Sequence, residues 1–465
     1  MNTNEHGSLE GAPFLKDKTP GLAEPAGSVA LGQSCERSAK QVYELLNAIK
    51  PYQDWREAAH RIKQYALANL DKLLVELERN LAAKGVEVIY AADAAEANRL
   101  VIEIAKKHNV KNVVKGKTMV SEEMELNHKL AAVGIRALET DLGEYLVQLA
   151  DQRPTHIVTP ALHLSAEDVG RLFADKLGEP YTAEHRALTD IARRHLREEY
   201  LKADLGISGV NFAVADTGSL VIVENEGNGG LSISVPPVHV ALMGIEKIIP
   251  RIDYLPVFLN LLGRSGTGQK LTTYTHVIHG PAPGRKMYLI IIDNGRTRML
   301  ADPHTRSALS CIRCGACLNR CPVYRRVGGW AYGWVYPGPI GSIITPQMVG
   351  LDKAAKLPFA SSLCGACAEI CPVKIDIPHQ LVYLRKRGAN ERSSVNSWIE
   401  RLMWKSWAWA MGGSWRFRLA ALALRIGTPL AKFLPWKPWY LGAWARGREL
   451  PKAPGPAFRK TWKER

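Results

Sequence analysis

The sequence predicts an α/β domain with a largely parallel sheet, followed by a helical module rich in cysteine and by a basic, helical C-terminal segment. Three observations carry this reading. Apolar runs of strand length alternate with helix-patterned segments over most of residues 37–300. Seven of the eight cysteines fall in two short runs between residues 311 and 371. Residues 391–465 hold 15 Lys and Arg against 4 Asp and Glu, which is +11 of a net +16, and 9 of the 12 tryptophans.

The elements follow in order. Residues 1–36 are rich in Gly, Pro, Ser and Glu without periodicity and predict a flexible tail. Its start, "MNTNEHGSLEGAPF", has neither a basic nor an apolar signal region, so no secretory signal peptide is expected. Helical spacing begins at Val42, Leu45, Leu46 and Ile49. A longer helix is expected from about Asp54, with Glu57 three residues on as its capping-box partner. From "VEVIYA" (86–91) strand and helix patterns alternate through "NVVKGK", "IRALE" and "THIVTP", each followed by a helix. Ser165 and Asp168 form a capping box at the last of these. A helix is expected over about 183–202, then a hairpin from "GVNFAVADTG" and "SLVIVENEGNGG", then strands in "LSISVPPVHVALMG", "LTTYTHVIHG" and "MYLIIIDNG". The α/β domain therefore covers 37–300, the cysteine module 301–390 and the basic segment 391–465. No apolar run reaches the about 18 residues of a membrane-spanning helix.

The cysteine runs carry the most specific chemistry. "CIRCGACLNRCP" (311–322) is a complete C-x2-C-x2-C-x3-C-P run, the iron–sulfur pattern of bacterial ferredoxins. "SSLCGACAEICP" (361–372) repeats it with Ser361 at the first position. In two-cluster ferredoxins the cysteine before proline serves the other cluster. That rule assigns Cys311, Cys314, Cys317 and Cys371 to cluster one, and Cys321, Cys364 and Cys367 to cluster two, both of the four-iron type. Zinc also takes thiolates in C-x2-C pairs, but seven cysteines in two C-x3-C-P runs do not divide that way. Grouped thiols point to a reducing, cytoplasmic setting rather than a disulfide framework.

Ser361 is the candidate fourth ligand of cluster two, and oxygen holds iron less well than a thiolate. Several outcomes stay open. Ser361 binds through oxygen; the fourth iron takes water, a partner residue or a small ligand; that iron is absent, leaving a labile three-iron cluster; or Ser361 is only a loop residue. The spacer "GGWAYGWVYPGPIGSIITP" predicts a close-packed irregular loop over the clusters, with "LDKAAKLP" and "IPHQLVYLRKRG" helical on either side of the second run.

The module resembles the α-helical ferredoxin module of respiratory iron–sulfur subunits. With "GVNFAVADTGSLVIVENEGNGG" (209–230) upstream, the chain from about residue 40 onward resembles the lactate utilisation protein B family, iron–sulfur subunits of bacterial L-lactate oxidation. That resemblance implies an N-terminal lactate-utilisation domain related in fold to coenzyme-A transferases, two four-iron clusters, and the same seven cysteines, so the Ser361 gap is typical of the family. It also implies an electron-transfer subunit of a complex oxidising L-lactate to pyruvate, with other subunits as partners.

Weaker signals have plainer explanations. "GRSGTGQKLT" (263–272) misses a P-loop because Gln269 stands where Lys is required. Glu224 and Glu226 precede a glycine turn at a strand end. In coenzyme-A transferases a glutamate in such a place is the nucleophile, which would make the α/β domain an enzyme in its own right; solvated acids in a hairpin turn are the blander reading. His276 and His279 fit simple strand positions. No nicotinamide or flavin fingerprint stands at a strand–helix turn. The segment "SWIERLMWKSWAWAMGGSWRFRLAALALRIG" fits either an interfacial helix making peripheral membrane contact or a helical layer on the cluster module. Nothing in it resembles a nucleic-acid docking motif.

Overall fold

Two apolar runs, "VHVALMG" and "KMYLIII", form the centre of a six-stranded sheet, as strands covered on both faces should. In the computed structural model, residues 25–49, 51–390 and 398–430 and Trp462 are described, and the chain divides into a unit over Met1–Ser393 and another over Ser394–Arg465.

The first unit opens with three helices, α1 (Pro25–Asn47), α2 (Tyr52–Ala68) and α3 (Leu70–Ala82). The sheet contains β1 (Val86–Ala91), β2 (Asn112–Lys115), β3 (Arg136–Glu139), β4 (Leu205–Gly209), β7 (Val238–Gly244) and β10 (Lys286–Ile292), ordered β1-β10-β7-β4-β2-β3 and parallel throughout. Period-two alternation assigns its faces. Val240, Leu242, Ile290 and Ile292 pack with α4 (Ala94–Lys107), α5 (Met119–Glu123) and α6 (Leu126–Ala132). Ala241, Met243, Leu289 and Ile291 pack against α3. Beyond Val114, α7 (Leu142–Leu149), α8 (Ala166–Leu177) and α9 (His185–Lys202) form a further apolar layer. A second sheet has the order β8-β5-β6-β9, built on the expected hairpin of β5 (Phe212–Val214) and β6 (Ser219–Glu224), with β8 (Ile248–Ile249) and β9 (Tyr274–Ile278) on its edges. The Ser165–Asp168 capping box is present at α8.

The sequence expectation fails in instructive places. The tail predicted to residue 36 is helical from Pro25, because Leu31, Cys35, Val42 and Leu46 already form one buried stripe; residues 1–24 lie outside the described residues. Helix α2 starts at Tyr52 rather than Asp54 and has no side-chain cap, and Glu57 pairs with Arg61 and Lys374 instead. "THIVTP" is a loop and not a strand. Pro154 and Pro160 cannot donate to a ladder, and the loop's carbonyls serve another purpose: Tyr324 donates to Thr155 O at 2.7 Å and Trp330 to Arg153 O at 2.6 Å. "LSIS" belongs to α10 (Asn228–Ser234), entered through the left-handed Gly227.

After α11 (Leu255–Gly266) and α12 (Arg296–Ala301), the cysteine module contributes α13 (Ala316–Arg320), α14 (Pro322–Val327), α15 (Gly338–Val349), α16 (Leu351–Ala354), α17 (Ala366–Ile370) and α18 (Ile377–Asn390). The spacer expected as an irregular loop is in large part α15. That helix is buried on nearly all sides, as its uniformly apolar sequence requires. One hydrophobic core joins α1, α2, the small sheet and α11 to the cysteine module, so the two parts share an interior across the boundary near residue 300.

The second unit contains α19 (Trp398–Met411) and α20 (Ser414–Leu430), which pack on each other across Gly412 and Gly413. Trp398, Trp404, Trp407, Trp409 and Trp415 are exposed, and the Arg416 guanidinium lies 5.5 Å and 5.4 Å from the Trp409 and Trp415 rings. Among the described residues no helix is long and apolar enough to cross a membrane.

Candidate iron–sulfur centre

The two cysteine runs fold alike, residue for residue. In the first, Arg313 (φ 61°) and Gly315 (φ 79°) are left-handed and launch α13, which ends at the extended Cys321 with Pro322 beyond it. In the second, Leu363 (φ 55°) and Gly365 (φ 85°) do the same for α17, which ends at the extended Cys371 before Pro372. Left-handed Arg and Leu are uncommon, and their recurrence at matching positions marks a loop shaped for its ligands. The correspondence extends to the residue in question. Cys311 Sγ accepts the Arg313 N–H at 3.4 Å, and Ser361 Oγ accepts the Leu363 N–H at 3.1 Å. Ser361 thus takes the same local hydrogen bond, in the same turn, as the cysteine it replaces. Cys321 Sγ accepts the Tyr324 N–H at 3.5 Å, and Cys371 Sγ the Ile375 N–H at 3.4 Å.

Electrostatics reveal which thiols face one another. Burial, then the Cys311 thiol and farther down Cys371, push the Cys314 thiol up. For Cys317 the neighbours after burial are Cys311, Cys314 and Cys371, with a weaker contribution from Cys367. Cys371 is pushed up to about 11 by burial, and Cys311 is its nearest thiol influence. In the other group, burial raises Cys321 and Cys364 adds to it. Burial raises Cys367 to about 12, with Cys321 and Cys364 adding to it. Cys371 therefore stands with the first run's thiols, and Cys321 with the second run's. Among the described residues, no three His, Cys, Asp or Glu side chains converge closely enough for a single metal ion. Thiols grouped four and three in a largely buried setting suit the corners of iron–sulfur clusters.

The two groups differ in setting. Cys314, Cys317 and Cys371 are buried in the shared core, whereas Cys364 is exposed and Ser361 half-buried. The Ala366 N–H, followed by Ser362, holds the Cys364 thiol below its ordinary range.

Residues without a motif secure this centre. Arg56 of α2 donates to Cys371 O at 3.0 Å and 2.7 Å and to Ala368 O at 3.3 Å. His60 Nδ1 donates to Val373 O at 3.0 Å. Their signal was faint: Tyr52, Arg56, Ala59, Lys63 and Ala66 recur at helical spacing on the buried side of α2, so a cation falls on an apolar face.

The weaker candidates also have places. Glu224 is not a solvated turn acid. Its two oxygens accept the Gly229 and Gly230 N–H groups at 2.6 Å and 2.7 Å, and His276 Nε2 stands 2.7 Å away. Glu226 accepts the Leu142 N–H at 2.9 Å and is exposed. His279 pairs with Ser219 on the edge of the small sheet. Gly263 to Gly266 close α11, and the segment after it is a turn.

Comparisons with known proteins agree with this layout. Residues 74–299 match the LUD domain, 307–375 a 4Fe-4S dicluster domain, and 384–465 the C-terminal region of lactate utilisation protein B. The chain is 41% identical over 421 residues to "Lactate utilization protein B" of Bacillus cytotoxicus, covering 89% of this chain and 85% of that one. It is 40% identical over 442 residues to the protein of the same name from Macrococcus caseolyticus, covering 92% and 91%. A solved structure of a DUF162 family protein from Deinococcus radiodurans aligns with 48% of this chain and 97% of its own at 12% identity and a TM-score of 0.27, too distant to carry an argument.

Proposed function

The chain belongs to the lactate utilisation protein B family, and we propose that it is the iron–sulfur electron-transfer subunit of a complex that oxidises L-lactate to pyruvate. The observation that carries this reading is the pair of matched runs, with thiols grouped four and three across them. On this reading Cys311, Cys314, Cys317 and Cys371 hold one [4Fe-4S] cluster. Cys321, Cys364 and Cys367 hold a second, with Ser361 at its fourth corner. Such clusters supply one-electron transfer. The chain's own residues set the conditions for it. Backbone N–H groups of Arg313, Tyr324 and Ile375 donate to ligand sulfurs, which stabilises the thiolate form. The shared core buries Cys314, Cys317 and Cys371 of the first site. The exposed Cys364 puts the second site at the surface, where a partner carrier can approach.

The test is anaerobic purification with iron and sulfide counted, followed by addition of the other subunits and L-lactate. Reduction of the clusters that depends on both L-lactate and the partners supports the assignment; clusters that stay oxidised reject it. An α/β domain catalysing its own covalent chemistry through Glu224 is less well supported, because that carboxylate is already held by two backbone N–H groups and His276.

The same reading places the protein in the cytoplasm, with the basic C-terminal segment at an anionic membrane surface and no role in nucleic-acid binding. The exposed tryptophans of α19 and α20, with Arg401, Lys405, Arg416, Arg418 and Arg425 among them, are suited to such an interface. Deleting residues 391–465 should abolish flotation with anionic liposomes, and salt should weaken that flotation in the intact chain, since screening acts over about 8 Å at physiological ionic strength. Retention of the truncated chain on the liposomes would reject the membrane role.

A further inference from the structure

The surface of the cysteine module is uneven. Among its described residues, 301–390, three large apolar side chains are exposed: Phe359, Leu363 and Val382. None of them belongs to the first run. Leu363 is the left-handed residue just before Cys364. Phe359 ends the single turn at Leu357–Phe359, and Val382 lies on α18, which packs on that turn. Exposed apolar groups gathered on one side, rather than scattered singly, mark a surface that another molecule covers.

Printed contacts join the three into one face with the second site. The Arg385 guanidinium lies 5.1 Å from the Phe359 ring and donates to Pro358 O at 2.9 Å and to Ser361 O at 3.0 Å. Arg385 and the exposed Lys386 stand three and four positions beyond Val382 on α18, so they share its side of the helix. Ser361 Oγ accepts the Leu363 N–H at 3.1 Å, which carries the face on to the exposed Cys364. From α13, Arg320 also bears on the Cys364 thiol. Its Nε is buried without a hydrogen-bond partner among the described residues. Neither Arg320 nor Arg385 forms an ion pair with a described carboxylate, and Glu369, the acid of the run itself, pairs with neither. The exposed edge of the second site thus has an apolar centre and a basic rim.

Such a face selects its occupant. The apolar centre excludes water at contact, and the basic rim steers and orients a partner of opposite charge. Three exposed anchors suit the small interface of a brief redox encounter better than a permanent one. A second copy of this chain carries +16 itself and is repelled. We propose that this face docks an acidic one-electron redox protein, whose centre approaches the second cluster at Cys364. One electron passes between the two centres; no bond forms or breaks and no proton is required. The electron-transfer role rests on the function proposed above; the partner's charge and the residues that meet it rest on the face.

The experiment uses the full chain, purified anaerobically with its clusters oxidised, and a reduced acidic [2Fe–2S] ferredoxin as the probe. Stopped-flow absorbance follows cluster reduction, while iron content and reduction by dithionite show that the clusters are intact. The second-order rate constant should fall about tenfold or more between low salt and about 0.5 M salt. Val382→Glu and Lys386→Glu should each slow the reaction at least about fivefold, and Val382→Leu should keep the parent rate. Lys106→Glu, the same charge change on the exposed side of α4, should leave it unchanged. Should Val382→Glu lose iron, Phe359→Ser decides in its place. The proposal is overturned if the rate ignores both face variants, or if Lys106→Glu slows it as much as Lys386→Glu, since net charge alone would then act. It is also overturned if the face variants detach the chain from anionic liposomes at an unchanged ferredoxin rate, which would give the face to a membrane. Ferredoxin reduction through this face without L-lactate-dependent reduction by the other subunits would sink the functional assignment and leave the face standing. L-Lactate-dependent reduction indifferent to Val382→Glu and Lys386→Glu would do the reverse.

Discussion

The first and second cysteine runs share a backbone but not a setting. Both pass through two left-handed residues into a short helix and out through an extended cysteine before proline. The first buries Cys314, Cys317 and Cys321 in the core that also contains α1, α2 and α11; the second buries Cys367 and Cys371 in the same core but exposes Cys364 and carries Ser361 where the first carries Cys311. A ligand loop is thus set by local backbone geometry, while the durability and accessibility of what it holds are set by the packing around it. The buried end of the pair is suited to retaining a cluster and the exposed Cys364 end to meeting a partner.

The sharpest way to break this comparison is to exchange the cysteines that cross. Cys371→Ala should remove roughly half of the iron, leaving the cluster of Cys364 and Cys367, whereas Cys321→Ala should spare the cluster of Cys311, Cys314 and Cys317. Iron counts and paramagnetic resonance of the two variants decide it. If Cys371→Ala removes the cluster of its own run, the crossing is wrong.

Arg56→Met comes next. It leaves the Cys371 and Ala368 carbonyls without their donor, a loss of about 2–3 kcal/mol. Because Cys371 stands with the first run's thiols, the first cluster should become the more easily lost on mild chelation. Loss of the second alone would contradict the grouping.

A smaller effect is expected at the fourth corner of the second site. In air the parent should convert there to a three-iron species, read by its paramagnetic signal in the oxidised state. Ser361→Cys should slow this conversion several-fold, since a thiolate binds iron better than an alcohol. Equal rates in the two proteins would mean that Ser361 is not the residue at the open corner.

The smallest effect compares the two glycines. Alanine at either must adopt a left-handed conformation, at about 1–2 kcal/mol. At Gly315 the new methyl would also stand 3.0 Å from His156 Cε1 and Val158 Cγ2, whereas at Gly365 nothing lies within 4 Å. Gly315→Ala should therefore melt at a lower temperature than Gly365→Ala. Equal melting points would mean that the 155–160 loop does not press on the first run.

Much of this was legible in the sequence. The alternation of apolar runs and helix patterns gave the parallel sheet, because period two and period 3.6 are local properties of the chain. The cysteine spacing marked the candidate site and its dicluster domain, because each cysteine loop is a local structure. Three features were not legible. Composition hid α1, since the Leu31–Cys35 stripe begins inside a Gly- and Ser-rich stretch. "THIVTP" reads as a strand until Tyr324, far along the chain, claims the Thr155 carbonyl and Trp330 that of Arg153 just before it. Nothing near Arg56 in sequence says that it supports a cysteine 315 positions away. Each miss is a tertiary contact overriding a local preference.

That last distance bears on how the protein is made. Helices α1 and α2 leave the ribosome well before the surfaces they cover, α13, α14 and the Cys371 carbonyl, are synthesised. Contacts so far apart in the chain form late, because loop closure must come before they contribute. Until then the apolar stripe of Leu31, Cys35, Val42 and Leu46 has no cover, and the cysteine loops are open to whatever donates iron. On this order of synthesis the N-terminal helices can pack over the cysteine loops only after those loops exist. Cells short of iron should accumulate a nascent form with that stripe exposed, a substrate for chaperones and proteases rather than a stable empty protein.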